Sequence, residues 1–435
     1  MPDDPAEPET VRRRGLSLPV NVNALRNRNF RLFLTGQLVS IAGTWMQTVA
    51  QSWLVYRLTG DSRMLGLVGF VSQVPASLFA IFGGDLADRG NRHKIVVAAQ
   101  AALMVFAFVL AGLTLSGSIR LWHVFVLSWL AGMVNAYEIP ARQSFIAEMV
   151  SREDLMNAIA LNSSMFNGAR IVGPALAGIV IASVGEGWCF FLNGVSFLAV
   201  LAGLLMMRLG PRKPSPPSTL SAFRRTVEGF QYVAETAPVR ALLLLLGLVS
   251  LTGLPFSVLM PIFADQVLHG GPKALGMLMG ASGLGALFGA LILTVRKGMF
   301  GLGRLVMLGA GGFGLSLIAF SFSTSYWLSV ILMLPSGFTV MIQFGATNTL
   351  VQSMIPDRLR GRVMAIYSMM IMGMAPFGSL IAGYMAKLIG PPATVALGGT
   401  ACLCGAIVFG LRRSSLREEG RALLAEQGAA STGMT

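Results

Sequence analysis

The residues of this chain that could do chemistry are charged or polar side chains set among apolar segments. One run of acidic and basic residues has the close spacing of short-range ion pairs; it reads Gly84-Asp85-Leu86-Ala87-Asp88-Arg89-Gly90-Asn91-Arg92-His93-Lys94. Arg170 and Glu138 lie within or beside long apolar stretches, where a charge must be paired or reached by water. These residue types favour electrostatic latching and the binding of ions or polar molecules.

Enzymatic chemistry finds little support in the same sequence. The three histidines are scattered, and the three cysteines lie in apolar segments, so neither a metal cluster nor a disulfide framework is indicated. The stretch Gly309–Gly314 fits a dinucleotide-binding pattern by its letters, but it lies inside an apolar segment with no strand before it. We therefore expect no enzyme, no bound metal and no cofactor.

The elements that must position these residues are membrane-spanning helices. Only 12% of the 435 residues are charged and 54% are hydrophobic, whereas soluble domains have about 25% charged residues. Segments of about 20 apolar residues can cross a bilayer, and the sequence predicts twelve. They are 31–57, 64–84, 95–115, 121–141, 162–183, 188–207, 239–266, 273–295, 304–322, 327–349, 362–386 and 392–411.

The positions of the basic residues predict which side of the membrane each loop occupies. With twelve spans both termini lie on one side, and 27 of the 33 Lys and Arg residues fall on that side. Five lie on the other side, and Arg170 alone lies deep within a span, away from its ends. Because cytoplasmic loops carry the excess of Lys and Arg, we expect both termini in the cytoplasm. The net charge of +14 then reflects topology rather than nucleic-acid binding.

The chain also contains an internal repeat. A shift of 205 residues places Gly132 on Gly337 and Gly178 on Gly383. Two tandem six-helix halves of the same orientation follow, related by an axis along the membrane normal. The predicted organisation is a cytoplasmic segment 1–30, a first half 31–207, a linker 208–238, a second half 239–411 and a tail 412–435. The linker has an apolar helical stripe suited to the membrane interface: Leu220, Phe223, Val227, Phe230 and Ala234.

The charged run resembles the signature that the major facilitator superfamily carries between its second and third helices. That resemblance implies an all-α membrane protein with twelve transmembrane helices in two tandem six-helix halves. It also implies a cytoplasmic gate, with Asp88 as its latch beside the start of span 11 near Arg362. Asn91 stands where the family usually has Gly, so a tight turn with positive φ is expected there. The gate residues are Gly84, Asp85, Asp88, Arg89, Asn91, Arg92 and Arg142.

A second motif lies in span 5. The stretch from Asn167 to Gly178 resembles the fifth-helix pattern of drug/proton antiporters, although Gly168 is one residue out of place. Pro174 should free a backbone carbonyl and kink the helix, while Gly173 and Gly178 should pack closely against the other half. These three residues are the predicted hinge or seal. Ordinary packing of small residues is the alternative.

Two charges inside the predicted bundle have more than one interpretation. Arg170 lies roughly ten residues into its span; it could bind an anionic substrate group, form an ion pair with Glu138, or bind backbone carbonyls. Glu138 is the candidate for proton coupling, since no other carboxylate lies closer to a span centre. Glu138 could instead be a gate residue paired with Arg142, one helical turn further along.

Polar side chains at helical spacing should converge on a wet cavity between the halves, because polar faces of lipid-spanning helices must point inward. Hydrogen bonding between helices, without substrate contact, is the alternative for each of them. Together with Arg170, the predicted cavity residues are Gln37, Thr44, Gln47, Gln51, Asn135, Asn167, Gln343 and Asn348.

The segments 24–31, 43–60 and 140–143 resemble a bacterial branch of the superfamily that includes the enterobactin exporter and macrolide-efflux-like proteins. This resemblance covers residues 20–410. It implies export of small organic molecules from the cytoplasm across the bacterial plasma (inner) membrane, driven by the proton gradient, by a monomer whose partners are its substrate and the lipid bilayer. An importer or lipid flippase on the same fold, or a non-transporting scaffold or sensor, remains open.

Overall fold

A computed structural model gives the structure of the chain over five stretches of residues. These are 23–151, 153–208, 222–296, 301–412 and 418–419. The side chains of a few residues inside them lie outside the described part: Ala80 to Phe82, Asp85, Ala87 to Arg89, residues 222–226 and Asp357. Within these stretches all regular secondary structure is helical, as the apolar periodicity predicts.

Six long helices form the first group, which corresponds to the predicted first half. Short connections link most of them, such as Gly60–Asp61 and Gly185, so that successive helices run antiparallel. The helices are α1 Arg28–Thr59, α2 Ser62–Arg89, α3 Arg92–Leu115, α4 Leu121–Met149, α5 Leu155–Val184 and α6 Glu186–Leu205.

The remaining helices begin in the linker. They are α7 Ala222–Glu235, α8 Ala237–Val267, α9 Gly271–Val295, α10 Leu302–Ser321, α11 Tyr326–Met354, α12 Asp357–Ile389 and α13 Pro391–Leu411. Helices α8 to α13 form the second group. Two of them contain wider π-helical turns, α8 at Val249–Gly253 and Phe263–Val267, and α12 at Met369–Gly373.

Ten of the described helices are long and apolar enough to cross a membrane, judged by length and composition. Helices α1 and α2 are not among these ten. In α1 the reason is visible in the sequence, because Gln37, Thr44, Gln47 and Gln51 recur along its 32 residues. The polar stripe that predicts a cavity therefore also weakens the apolar signal of this helix.

Several helices extend further than the apolar segments predict. Helix α4 continues to Met149 and α5 begins at Leu155, whereas the predicted spans end at 141 and start at 162. Helix α12 begins at Asp357, five residues before the predicted start. Apolar content marks only the part of a helix suited to lipid, and the backbone ladder continues through polar residues such as Arg142 and Gln143.

Glycines bring helices close together within each group, as expected where small residues let backbones approach. A β-carbon on Gly132 of α4 would lie 2.6 Å from the carbonyl oxygen of Ser72 in α2. On α13, a β-carbon on Gly399 would lie 2.6 Å from the carbonyl oxygen of Gly314 in α10. The most extensive contacts between the groups are those of α2 with α12 and of α5 with α9, and α8 also meets α1 and α2.

Candidate functional site

The bundle has two ends, which we name by the chain segments that they carry. The terminal end holds the start of α1 at Arg28 and the end of α13 at Leu411. The far end holds the connections at Gly60–Asp61, Gly185 and Gly390. The contacts between the two helix groups differ between these ends.

Helices α2 and α12 meet at the far end through their backbones. A β-carbon on Gly66 would lie 2.5 Å from the carbonyl oxygen of Ser379 and 2.9 Å from the Cα of Gly383. The Ser62 hydroxyl donates a hydrogen bond of 2.9 Å to the Gly383 carbonyl oxygen. No side chain larger than hydrogen fits at Gly66 or Gly383 in this arrangement.

Helices α5 and α9 meet in the same way. A β-carbon on Gly276 would lie 2.7 Å from the carbonyl oxygen of Pro174 and 2.8 Å from the Cα of Gly178. The prediction that Gly178 packs against the other group is thus correct. Gly173 was predicted to do the same, and that is wrong: a β-carbon there would lie 2.8 Å from the carbonyl oxygen of Ala42 in α1, within its own group.

Pro174 lies inside α5 without ending it, since the helix runs from Leu155 to Val184. Proline has no N–H, so the carbonyl oxygen of Arg170, four residues earlier, lacks its usual helical donor. Gly283 of α9 lies against that oxygen, because a β-carbon on Gly283 would be 2.7 Å from it. The predicted free carbonyl therefore forms part of the contact between the two groups.

One hydrogen bond between side chains also joins the groups at the far end. The Tyr56 hydroxyl, near the end of α1, donates to Oδ2 of Asp265, near the end of α8, at 2.6 Å. Tyr56 is buried and its ring lies beside that of Trp53, with 5.6 Å between ring centroids. Tyr56 was not predicted as a functional residue, because nothing local in the sequence indicates a partner 209 residues away.

Toward the terminal end, α5 and α9 separate. A β-carbon on Gly168 would meet nothing within 4 Å, and Met156 and Ile159 near the start of α5 are 75% and 47% exposed. Gly289 of α9 instead packs against α11, where a β-carbon would lie 2.8 Å from the carbonyl oxygen of Phe338. In the described part of this helix pair, the contact is therefore tight from the far end to mid-height and open beyond it.

The predicted gate residues lie at the terminal end, and the structure describes some of their side chains. The side chains of Asp85, Asp88 and Arg89 are outside the described part, so the latch stays a prediction. Among the described atoms, a β-carbon on Gly84 would meet none within 4 Å. Arg92 forms an ion pair of 2.7 Å with Glu148 of α4, a partner that sequence reasoning missed.

The expected turn geometry at Asn91 is wrong. Its φ is −79°, and its side-chain oxygen accepts a hydrogen bond of 3.1 Å from the backbone N–H of Lys94. Asn91 therefore caps the N-terminus of α3, a position that favours Asn. The capping position requires only an ordinary negative φ, so the chain starts the new helix without a left-handed turn at Asn91.

The linker helix α7 docks on the second group. Glu228 forms ion pairs with Arg362 and Arg358 of α12, the second at 3.6 Å between Oε1 and the guanidinium nitrogen. The Tyr232 hydroxyl donates to the Met354 carbonyl oxygen at 2.9 Å. Of the predicted interfacial stripe, Val227 and Phe230 are exposed, whereas Leu220 and Phe223 lie outside the described side chains. Arg362 was expected near the Asp88 latch. In this structure Arg362 is instead engaged in an ion pair with Glu228.

Glu138 and Arg142 form the ion pair that their spacing predicts. The distance from Glu138 Oε1 to Arg142 Nε is 2.8 Å, and Glu138 is only 4% exposed. Gln100 of α3 donates a hydrogen bond of 3.1 Å to the same carboxylate. The Arg142 guanidinium also lies 4.9 Å from the ring centroid of Phe166 in α5. The alternative ion pair between Glu138 and Arg170 is not formed in this structure.

Arg170 lies at the middle of α5. Its guanidinium carbon is 5.8 Å from the ring centroid of Trp45 in α1. Its side chain keeps partial exposure, and among the described residues it has no ion-pair or hydrogen-bond partner. The suggested pairing with backbone carbonyls is therefore also not formed.

The predicted cavity residues divide into two sets. Gln51 donates a hydrogen bond of 2.9 Å to the Ser128 hydroxyl of α4, and Gln47 accepts one of 2.7 Å from the Asn193 amide of α6. Gln37 and Gln343 are buried, the latter against α10, where a β-carbon on Gly309 would lie 2.9 Å from that of Gln343. For Gln47 and Gln51 the alternative of hydrogen bonding between helices describes the structure. Gln37 Nε2 and both amide atoms of Gln343 are buried without a hydrogen-bond partner among the described residues, so these two side chains neither line an open cavity nor fulfil that alternative.

The other set keeps exposed surface. Thr44 is exposed and its hydroxyl donates to the Ser40 carbonyl oxygen of its own helix at 2.9 Å. Asn167, Asn135 and Asn348 are partly exposed. Asn167 donates to the Ser163 carbonyl oxygen at 2.8 Å, and Asn348 accepts from Gln352 at 2.6 Å, both within their own helices. These residues remain candidates for a cavity wall.

Comparison with known proteins places this arrangement in a family. The family model described as "Transmembrane secretion effector" matches residues 20–427. The staphyloferrin A transporter of Staphylococcus aureus is 24% identical, over 87% of this chain and 95% of its own length. Macrolide efflux protein A of Streptococcus pyogenes is also 24% identical, over 87% and 94%. The enterobactin exporter EntS of Salmonella choleraesuis is 24% identical, over 88% and 90%.

Solved structures show the same fold. A bacterial homologue of the human lysosomal transporter Spinster, in an inward-facing and unoccupied conformation, superposes with a TM-score of 0.66 at 16% identity, over 94% of this chain and 98% of its own. The family match spans far more than half of the chain. This protein is therefore a membrane transporter of the major facilitator superfamily, and it belongs to the transmembrane secretion effector family.

Proposed function

We propose that this chain is a secondary active exporter of small organic molecules, siderophore-like or drug-like, working by alternating access and proton antiport. It crosses the bacterial plasma membrane twelve times with both termini in the cytoplasm. The names of the relatives support the direction and the substrate range, since they describe macrolide efflux and enterobactin export. The excess of Lys and Arg in the loops of the terminal end supports the orientation.

The observation that carries the proposal is the unequal contact between the two helix groups. At the far end Gly66, Gly276 and Gly383 bring backbones together, while at the terminal end α5 and α9 part. An exporter loads substrate from the cytoplasm in a state that is closed on the outside. Such contacts are suited to that state, provided that the terminal end faces the cytoplasm.

The closing of the terminal end is assigned to the charged run. In the outward-open state, Asp88 on the last turn of α2 would approach the N-terminus of α12, where the helix dipole favours a carboxylate. Arg89 and Arg92 supply cations beside it. Replacing Asp88 by Asn removes the charge but keeps the size, so it tests this role without opening a cavity.

Proton coupling is assigned to Glu138. It is a buried carboxylate held by one cation, Arg142, and one amide, Gln100. A proton arriving at Glu138 would cancel its charge and release the Arg142 guanidinium. A release of this kind lets a proton change contacts between helices, which is what an antiporter needs.

The first test is mass spectrometry of small molecules in cells and medium, comparing overexpressing, deletion and Asp88→Asn strains. Export is supported if a compound moves to the medium only with the active protein. Accumulation inside the cells would reverse the direction and favour an importer. If no compound moved, either alone or under challenge with drugs, the export proposal would fail.

The second test uses proteoliposomes and the compound so identified. With an imposed pH gradient, Glu138→Gln should reduce gradient-driven transport at least tenfold while downhill exchange persists. Glu153→Gln is the matched control, because Glu153 is exposed outside the helix bundle. If Glu138→Gln transport still follows the pH gradient, coupling lies elsewhere.

A further inference from the structure

The Arg170 side chain points toward the centre of the bundle. On α5 the exposed apolar residues Val172, Leu176 and Ile179 mark the face that meets lipid. With 3.6 residues per turn they lie roughly 180° to 240° around the helix axis from Arg170. The backbone of Arg170 faces Gly283 of α9 and its guanidinium faces Trp45 of α1. Arg170 therefore lies between the two helix groups and not in the lipid.

The charge of this guanidinium is not neutralised by the described residues. Glu138, the carboxylate nearest to the centre of a predicted span, is engaged with Arg142 and Gln100. Trp45 attracts the cation through its ring face without cancelling its charge. An unpaired charge at membrane depth is costly and marks a functional site by default. Here the missing partner is an anion.

A polar path leads from the terminal end to this cation. Ser163 and Asn167 lie on the same face of α5 as Arg170, within roughly 60° around the axis. Ser163 is exposed and Asn167 is partly exposed. Gly168, beside them, has open space around it. A hydrated molecule entering between α5 and α9 would meet these side chains first and Arg170 at the bottom of the path.

We propose that Arg170 and Trp45 form the substrate site for an organic anion that carries an apolar or aromatic body. The guanidinium presents paired N–H donors that match a carboxylate, sulfonate or phosphate. The Trp45 ring offers an apolar surface beside it. This proposal rests on the proposed transport function and adds the charge of the substrate, which separates anions from neutral and cationic compounds.

Two dyes that differ only in charge test the site by binding alone. 1-Anilinonaphthalene-8-sulfonate is an anion, and N-phenyl-1-naphthylamine is the same body without the sulfonate. The full-length protein in nanodiscs of phosphatidylcholine is titrated with each dye, with empty nanodiscs subtracted. The wild type should bind the anionic dye saturably. Arg170→Gln should weaken that binding at least tenfold and change the affinity for the neutral dye less than twofold.

The controls separate charge from folding. Arg304→Gln removes an exposed cation at the start of α10 and should leave both affinities unchanged. Trp45→Leu should weaken both dyes, since it removes the apolar surface that they share. Displacement in the wild type needs no variant: benzoate should displace the anionic dye, and its neutral analogue benzamide should not. Equal displacement by both, or equal loss of both dyes in Arg170→Gln, would overturn the anion site.

The outcome is independent of the direction and energy source of transport. If the dyes behave as expected but no compound leaves cells, export is wrong while the anion site stands. If a neutral compound is exported and its transport survives Arg170→Gln, export stands while the anion site is wrong.

Discussion

The two ends of the bundle join the helix groups by different physics. At the far end the contacts between groups are mainly backbone against backbone at glycines, with hydrogen bonds from Ser62 to the Gly383 carbonyl oxygen and from Tyr56 to Asp265. At the terminal end the described charges pair within one group, Arg92 with Glu148 and Arg362 with Glu228 of the linker helix. The two groups are thus held together at the far end by close packing, whereas the terminal end carries charged side chains that pair within each group.

This difference indicates how each end can open. Van der Waals contacts at glycines lose roughly a quarter to a half of their attraction over the first 0.5–1 Å of separation, so the far end should open in one step. Charged residues are well hydrated when apart and attract over several ångströms when they approach. A terminal end rich in charge is therefore stable while open and can still close.

The internal repeat appears in these contacts. Gly178 and Gly383 are 205 residues apart, and each lies where a helix of its group meets the other group at the far end. Gly178 meets Gly276 of α9, and Gly383 meets Gly66 of α2. Two equivalent contacts on opposite sides of the bundle can close together in one rocking motion.

Filling one of these contacts should have the largest effect. In Gly276→Leu the side chain would meet the backbone of α5, since even its β-carbon would lie 2.7 Å from the Pro174 carbonyl oxygen. The far end should then stay open and transport should fall below about 1% of wild type, because a clash with backbone cannot be relieved by a side-chain rotation. Transport assays and the distance between spin labels at Ser116→Cys and Ser325→Cys would measure both effects.

The matched control is Gly112→Leu on α3. Gly112 is exposed and a β-carbon there would meet nothing within 4 Å. This variant should transport normally and keep the wild-type label distance. If Gly276→Leu instead transported well at an unchanged distance, closure of the far end by shape would be the wrong account.

The sequence predicts where the helices lie better than it predicts which helices pack against each other. The positions of the long helices follow from apolar segments, and the closeness of Gly178 to the other group was predicted correctly. Gly173 was assigned to the wrong neighbour, because small size permits close packing without specifying which helix approaches. Tertiary packing determines which neighbouring helix each face meets, and a short motif in one sequence carries no information about that packing.

In the candidate site, too, contacts between residues close in the chain were predictable and contacts between distant residues were not. The pair Glu138–Arg142 was predictable because its spacing of four residues is local to a helix. Gln100, Glu148 and Glu228 were missed because their partners are 38 or more residues away. Gln343 was expected in a cavity but is buried against α10. A polar residue on an apolar helix must avoid lipid, and helix seams satisfy that rule as well as a cavity does.

Removing the hydrogen bond between the Tyr56 and Asp265 side chains, which joins the two groups at the far end, should have an intermediate effect. Tyr56→Phe keeps the ring but deprives Asp265 of its donor. A hydrogen bond to a charged group contributes roughly 1.5–3 kcal/mol when buried, and less here because water can solvate Asp265 once the end opens. We expect a shift of about threefold to tenfold toward the open far end, measured by the same pair of spin labels.

Tyr326→Phe is the control for that shift. Tyr326 begins α11 at the same end and contacts Trp327, with 5.0 Å between ring centroids. Its change should leave the label distance distribution unaltered. An equal shift in both variants would mean that loss of any tyrosine hydroxyl at this end has the same effect, and that the bond to Asp265 does not specifically hold it.

The smallest effect is expected at a far-end charge, Asp61, whose main partner, Arg63, lies in its own group. Asp61 caps α2, and hydrogen bonds from Arg63, including one of 2.7 Å, hold the pKa of the Asp61 carboxyl below its ordinary value. A lowered pKa means that the carboxylate stabilises the folded state fully above its unfolded pKa of about 3.9, and loses this contribution as the pH falls through the folded value.

Asp61→Asn keeps a capping oxygen and removes only the charge. The wild type should melt about 1–2 °C higher than this variant at pH 7, the size expected of an exposed ion pair in a protein this large, and the difference should shrink below about pH 4. Thermal unfolding of the purified protein measures this. Arg63, the main partner of Asp61, lies in the same helix group, and Lys387 of α12 attracts the Asp61 carboxylate only weakly, so transport and the spin-label distance should change little. A change in that distance would mean that charge, and not shape alone, holds the two groups together at the far end.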